Sequence, residues 1–295
     1  MDIMSLSEVE DSCLFRYRHF NKNTVKEILN KEIWHSDVNN LNDPFEFPII
    51  LDWSEIDRKD KSLLTKYAMH FDFLPLDEIT YYCLNDKLDL LHSIINDNLH
   101  GASLAMKEYY ESLYVCCFSK SLRDPLMWSH YSDGMKGLCI AYDKNILKGT
   151  NEYKNLNPVV YNKKPIEFLF KDFRTDKISS EFKYYDEVHK ENRIAEPRLI
   201  RLNTFEHLYQ KHERWAYEGE VRNIVDLDIP RSKRKDGALV KYPSDAIKAI
   251  LVGCKMKGTK IKMIYRYCYY NKISLYIVSP DKRDYSILIK DLYIP

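Results

Sequence analysis

Late in the chain, Glu218, Glu220 and Arg222 fall at every second position of Trp215-Ala216-Tyr217-Glu218-Gly219-Glu220-Val221-Arg222. If a strand has begun by Glu218, the three side chains share one face. Paired carboxylates suit group transfer. One stabilises positive charge as it builds on a reacting carbon, and its neighbour orients the acceptor or takes its proton. Two like charges on one face cost energy unless a cation or a proton shares the site, and Arg222 offers that cation. The alternative is a Glu-Glu-Arg ladder on an exposed edge strand. Trp215 and Tyr217 just ahead favour a pocket.

Three other constellations carry chemistry. Arg16 and Arg18 share a face of the strand Leu14–Phe20, with Tyr17 opposite; a planar guanidinium holds a diphosphate by two bonds, or else lies on a solvated face. Trp128, His130 and Tyr131 could wall a flat heterocycle, since aromatic stacking is worth roughly 1–3 kcal/mol per base. Core packing is the better reading of Trp128, while both readings stand for His130 and Tyr131. Asn42-Asp43-Pro44-Phe45-Glu46 is turn chemistry first. Asp43 and Glu46 could also join Glu218 and Glu220 around a hard cation. The seven cysteines form no Cys-x-x-Cys pair, and Cys116 and Cys117 point to opposite faces of a strand, which argues against zinc.

These groups must be positioned by short strands. Cys116 to Asp143 organises the chain: a buried strand Tyr114–Phe118, a loop to Pro125, a short aromatic helix, then Gly134 and Gly137 expected as left-handed caps, and a second strand Leu138–Tyr142. Further strands are expected at Ile33–Ser36, Val159–Tyr161, Glu220–Val225, Ile247–Val252, Leu275–Val278 and Tyr285–Ile289. Residues 1–12 read as a loose polar lead-in. About eight strands are thus interrupted by two mainly helical blocks, 54–112 and 166–212. The expectation is an α+β fold in one domain, 1–295, with the two blocks inserted into a β-rich core.

Composition narrows the function classes. Lys plus Arg at 45 nearly cancels Asp plus Glu at 44, so no global field draws the chain to nucleic acid or membrane. The basic run Arg231–Lys235 reads as a solvated hairpin tip. With 8 glycines and no phosphate-loop signature, a P-loop or dinucleotide fingerprint is excluded. No signal peptide and no apolar run of membrane-spanning length occurs, which predicts a soluble cytoplasmic protein with reduced cysteines.

Several segments together resemble a bacterial family known as domain of unknown function 2971. They are Leu14-Phe15-Arg16-Tyr17-Arg18, Leu41-Asn42-Asp43-Pro44-Phe45-Glu46, Cys117-Phe118-Ser119, Pro125-Leu126-Met127-Trp128-Ser129-His130-Tyr131, Gly137-Leu138-Cys139-Ile140, Val160-Tyr161, Trp215 to Arg222, and Ile250-Leu251-Val252-Gly253. The order of these pieces more distantly resembles the ADP-ribosyltransferase superfamily, including its DNA-modifying toxin branch. That resemblance implies a split mixed or antiparallel sheet and NAD as substrate. It also implies a first-strand Arg16 or Arg18 on the nucleotide, a middle residue (Ser36, Ser119 or Tyr131) and a catalytic Glu220, with Glu218 completing a Glu-x-Glu turn. A Ser-Thr-Ser strand typical of one branch is missing.

On this resemblance the chain is expected to transfer ADP-ribose to nucleic acid or protein, in phage defence or as a toxin. Glu218 and Glu220 would be catalytic. Arg16, Tyr17, Arg18, Ser36, Ser119, His130 and Tyr131 would hold NAD, and Asp43, Trp128 and Arg222 would contact substrate, with no metal. Two other readings stand beside it: a metal-dependent nuclease using Asp43, Glu46, Glu218 and Glu220, and a non-catalytic module that binds a nucleotide or a partner.

Overall fold

A computed structural model describes residues 4–47, 50–52, 60–70, 74–165, 167–169, 183–186, 191–194, 208–227, 229 and 235–292. Their strands are β1 (Cys13–Arg18), β2 (Glu32–Asp37), β3 (Ile50–Asp52), β4 (Tyr114–Ser119), β5 (Leu138–Asp143), β6 (Leu156–Pro158), β7 (Val160–Asn162), β8 (Glu167–Leu169), β9 (Lys183–Asp186), β10 (Glu191–Ile194), β11 (Gln210–His212), β12 (Glu220–Val225), β13 (Gly237–Lys241), β14 (Ile247–Gly253), β15 (Ser274–Asp281) and β16 (Ser286–Asp291). The chain divides into two compact units, one of residues 1–46, 112–163 and 209–295, the other of 47–111 and 164–208.

The first unit is built on a mixed sheet in the order β13-β2-β4-β1-β5-β14-β15-β16. Its pairs are antiparallel except β14 with β15, which run parallel around the crossover helix Gly258–Asn271. The sheet forks at β4. Along one edge β4 carries β12 in full register from Glu220↔Ser119 to Val225↔Tyr114. The other edge is shared, with β2 at its start (Ser36↔Val115) and β1 at its end (Phe15↔Ser119).

Both faces of this sheet are covered. Leu14, Cys116, Phe118, Ile140, Tyr142 and Ile250 pack into one core with Ile264 and Cys268 of the crossover helix. Phe15, Tyr17, Cys139, Ala141 and Leu251 pack into another with Val9, Met127 and Trp128. Alternate residues of one strand therefore enter different cores. Two caps organise the second side. Ser5 and Glu8 form a capping box on the helix Leu6–Ser12, so the expected loose lead-in is a helix with Val9 fully buried. Asp124 caps the short helix Pro125–His130, with Pro at its first turn.

Gly134 adopts φ +57 as expected of a left-handed position. Gly137 serves another purpose: a Cβ there would sit 2.3 Å from the Arg18 carbonyl oxygen, so only glycine lets the β5 entry close on β1.

The second unit packs the helices Lys61–His70, Leu76–Leu84 and Leu88–Tyr110 through Leu64, Ala68, Ile79, Leu91 and Ile95. It adds a parallel pair β3–β8 and an antiparallel pair β9–β10. Most of the mainly helical block expected over 166–212 lies outside the described residues, and those of it that are described are mostly strands β8 to β11. Lys- and Glu-rich composition favours helix locally, but ladder partners override so weak a preference. The helix Gly258–Asn271 and strand β13 escaped the sequence reading, and Val159–Tyr161 is broken between β6 and β7. The basic run Arg231–Lys235 lies, apart from Lys235, outside the described residues.

Candidate functional site

Glu218 and Glu220 are brought together by a tight return of the chain. From β11 it passes through the 3-10 turn Glu213–Glu218, reverses at Gly219 in the left-handed conformation (φ +50), and enters β12. Glu220 is pinned at the strand start by its backbone: its N–H donates to the Tyr161 hydroxyl at 2.8 Å, and its carbonyl accepts from Val159 N at 3.0 Å. Ser119 fixes the turn from the neighbouring strand. Its hydroxyl donates to the Glu218 carbonyl at 2.5 Å and accepts from Ser121 N at 2.9 Å, so its donor is spent on backbone.

The residue that joins the two carboxylates is Lys211 of β11, which the sequence reading left inside a helical block. Its Nζ lies 2.8 Å from Glu218 Oε2, 3.3 Å from Glu220 Oε2 and 3.5 Å from Glu46 Oε1, and 4.7 Å from the centre of the Trp215 ring. Arg222 completes the cluster. Nε donates to Glu220 Oε1 at 2.7 Å and Nη2 to Glu46 Oε1 at 2.9 Å. Three buried or half-buried carboxylates thus surround two cations. The Tyr131 hydroxyl donates to Glu218 Oε1 and accepts from Asn42 Nδ2 at 2.8 Å.

The cluster splits its carboxylates. Burial pushes Glu220 up, but Arg222 and then Lys211 outweigh it and draw it down to about 2. Burial dominates at Glu218 and at Glu46 and raises both above the ordinary carboxylate value, against the pull of Lys211 and Arg222. Glu220 is therefore held ionised while Glu218 is the readier to carry a proton. The acid dependence follows with its sign. A depressed pKa makes the Glu220 contribution complete above the usual 4.5 and lost as pH falls through about 2. Glu218 and Glu46, raised, act the other way and gain stability as they protonate. Stability in urea titrations is expected to hold or rise as pH is lowered from neutrality, then fall between about 4.5 and 2. A steady loss beginning at neutrality would contradict this ordering.

A small cleft opens over these groups, lined by Phe15, Tyr17, Asn42, Cys117, Phe118, Ser119, Met127, Tyr131, Lys211, Glu218 and Glu220. Of the sequence candidates it gathers Tyr17, Ser119, Tyr131, Glu218 and Glu220. Arg16 and Arg18 do not reach it, because strand alternation sends them to the other sheet face. There Arg16 fills the fork, donating to the Trp34 carbonyl at 2.8 Å and to Cys116 Sγ at 2.6 Å, and Arg18 pairs with the buried Glu27. Ser36 is taken up in pairing β2 with β4 and β13 and does not line the cleft.

Trp128 is fully buried; its Nε1 donates to the Leu122 carbonyl at 2.9 Å, and it meets Tyr17 edge-on at 5.2 Å. It supports the Tyr17 wall rather than touching a substrate. His130 is exposed, with its ring 6.4 Å from that of Tyr217, outside the cleft lining. Asp43 turns back to accept from Phe45 N at 3.0 Å, the turn role. Arg222 is wholly buried, its guanidinium held among the carboxylates of Glu220 and Glu46. Lys211 and Arg222 occupy the space between Glu46, Glu218 and Glu220 where the nuclease reading would put a divalent ion. Among the described residues no group of three or more acidic, His or Cys side chains has the geometry to hold a metal.

Lys211, Asn42, Tyr161 and Cys117 were missed as members of the site. No spacing signal marks Lys211, one of many lysines, and only the parallel pairing of β11 with β7 (Lys211↔Tyr161) places it. No described helix is long and apolar enough to cross a membrane.

The model of the family described as protein of unknown function (DUF2971) matches residues 127–223, about one third of the chain. The match runs from the short aromatic helix to the middle of β12, so it includes Tyr131, Lys211, Glu218, Glu220 and Arg222. No curated protein and no solved structure matches the chain.

Proposed function

We propose that the cleft is the active site of an ADP-ribosyltransferase-like enzyme that cleaves the nicotinamide–ribose bond of NAD and passes ADP-ribose to an acceptor. One observation carries the reading: two carboxylates line one cleft, with Glu220 held ionised and Glu218 pushed toward its protonated form. Environments that push paired acids apart mark a division of catalytic labour. The C1′–N bond breaks with its electron pair passing to the ring nitrogen, and nicotinamide leaves neutral. Positive charge at C1′ is met by the Glu220 carboxylate. The acceptor's lone pair forms the new bond at C1′ while Glu218 takes its proton. Phe15, Tyr17 and Tyr131 supply flat apolar walls for the heterocycle, and Arg16 and Arg18 have no part in holding it.

The test is purified protein with NAD, water serving as default acceptor, and mass spectrometry for free nicotinamide. Nicotinamide is expected to appear well above the rate in buffer, without added divalent metal. Absence of both release and calorimetric NAD binding would overturn the reading.

A further inference from the structure

The crossover helix Gly258–Asn271 presents a second surface, on the side of the sheet away from the cleft. Its inner residues Ile264 and Cys268 are buried, with Ile261 and Tyr267 packed beside them. The residues facing outward are of a different kind. Lys262, Arg266, Tyr269 and Tyr270 are exposed and, with Tyr265 half-buried against the core at their edge, stand three or four residues apart and so form one contiguous face over the last two turns. Tyr269 is 69% exposed and Tyr270 81%. The rings are arranged as a platform: Tyr265 and Tyr269 are stacked with centroids 6.3 Å apart and planes 23° from parallel, and Tyr270 meets Tyr269 edge-on at 5.6 Å.

Charge on this segment departs from the neutral whole. Residues 255–272 carry Lys255, Lys257, Lys260, Lys262, Arg266 and Lys272 and no Asp or Glu, in a chain of formal net charge +1. All but Lys260 are exposed, and none of those five forms an ion pair among the described residues. Lys260 instead lies over the Phe20 ring at 4.9 Å. A solvated helix face ordinarily interleaves both signs. A face that would lie in a membrane exposes Leu, Phe or Trp, whereas here Ile261 and Ile264 turn inward and Met263 is the one exposed large apolar residue of the helix besides the tyrosines. Stacked tyrosines among unpaired cations match a polyanion with flat, accessible bases.

We propose that this face, Lys262, Tyr265, Arg266, Tyr269 and Tyr270, binds single-stranded nucleic acid, the cations tracking phosphates and the tyrosines stacking on unpaired bases. The inference stands independently of the NAD reading, because it uses none of the cleft residues.

The test is fluorescence anisotropy with fluorescein-labelled twelve-nucleotide oligothymidylate and oligouridylate. Measurements are made over a salt series, with a duplex of equal length and anionic phosphatidylserine vesicles as competitors. Binding of either single strand is expected, stronger than of the duplex. Lys262→Gln with Arg266→Gln should weaken it and flatten the log–log salt slope by about 0.7 for each cation removed. Tyr269→Ala with Tyr270→Ala should weaken it by about tenfold or more with the slope unchanged. Since these side chains are exposed, melting temperatures should stay at the parent value. The proposal is overturned if neither oligonucleotide binds at low salt, if the tyrosine pair can be removed without loss, or if vesicles displace the strand while the duplex binds as well as it.

Discussion

Replacing Arg222 by methionine is expected to lower the stability of the folded chain by about 3–5 kcal/mol, because it strips the cation from a buried ion cluster. Arg222 is entirely buried and donates to both Glu220 and Glu46. Methionine fills much of the same volume, so the loss measures uncompensated charge rather than a cavity. An exposed pair of the same length provides the contrast. Arg123 Nε lies 2.7 Å from Glu10 Oε1, like Arg222 Nε from Glu220, yet those side chains are 51% and 29% exposed. Water screens that pair, and Arg123→Met should cost under about 1 kcal/mol. Urea denaturation of both variants decides. Equal losses would mean that the Arg222 cluster is hydrated and contributes no more than a surface contact.

Glu218→Gln is expected to reduce nicotinamide release by about 10²- to 10⁴-fold, the usual worth of a positioned acid–base group, with little loss of stability. Burial already disfavours the Glu218 charge, so an amide there relieves part of the unfavourable term. Glu220→Gln should separate from it. That carboxylate is stabilised as an anion by Arg222 and Lys211, and neutralising it leaves Arg222 underpaired, so activity and melting temperature should fall together. The pH profile of kcat/KM adds a readout that a structural role would not move: the Glu218 variant should lose the acidic limb. Full activity in Glu218→Gln would sink the acid–base assignment. Unfolding as severe as that of Arg222→Met would make Glu218 a structural ion.

The catalytic candidates were legible where local chemistry concentrates them. Glu218-Gly219-Glu220 is a turn entering a strand, and its glycine is needed for the left-handed reversal. Ser119 and Tyr131 were legible as candidates from the strand and helix that carry them. Lys211 was not, since a lysine in charged sequence has no local mark, and its place depends on β11 finding β7 after a long intervening segment.

Most strand positions of the large sheet, the aromatic helix and the α+β class followed from the residues themselves, through alternation, caps and turns read over a few neighbours. The two sides of the sheet did not. β1, β5 and β12 are buried along nearly their whole length, and a strand covered on both faces loses the polar–apolar alternation that tells inside from outside. Phe15 and Tyr17 on one face and Arg16 and Arg18 on the other therefore look equally placed for a ligand in the sequence. Tertiary packing decides between them: Glu27 and the Trp34 carbonyl receive the arginines on one face, and Lys211 draws Glu218 and Glu220 together on the other.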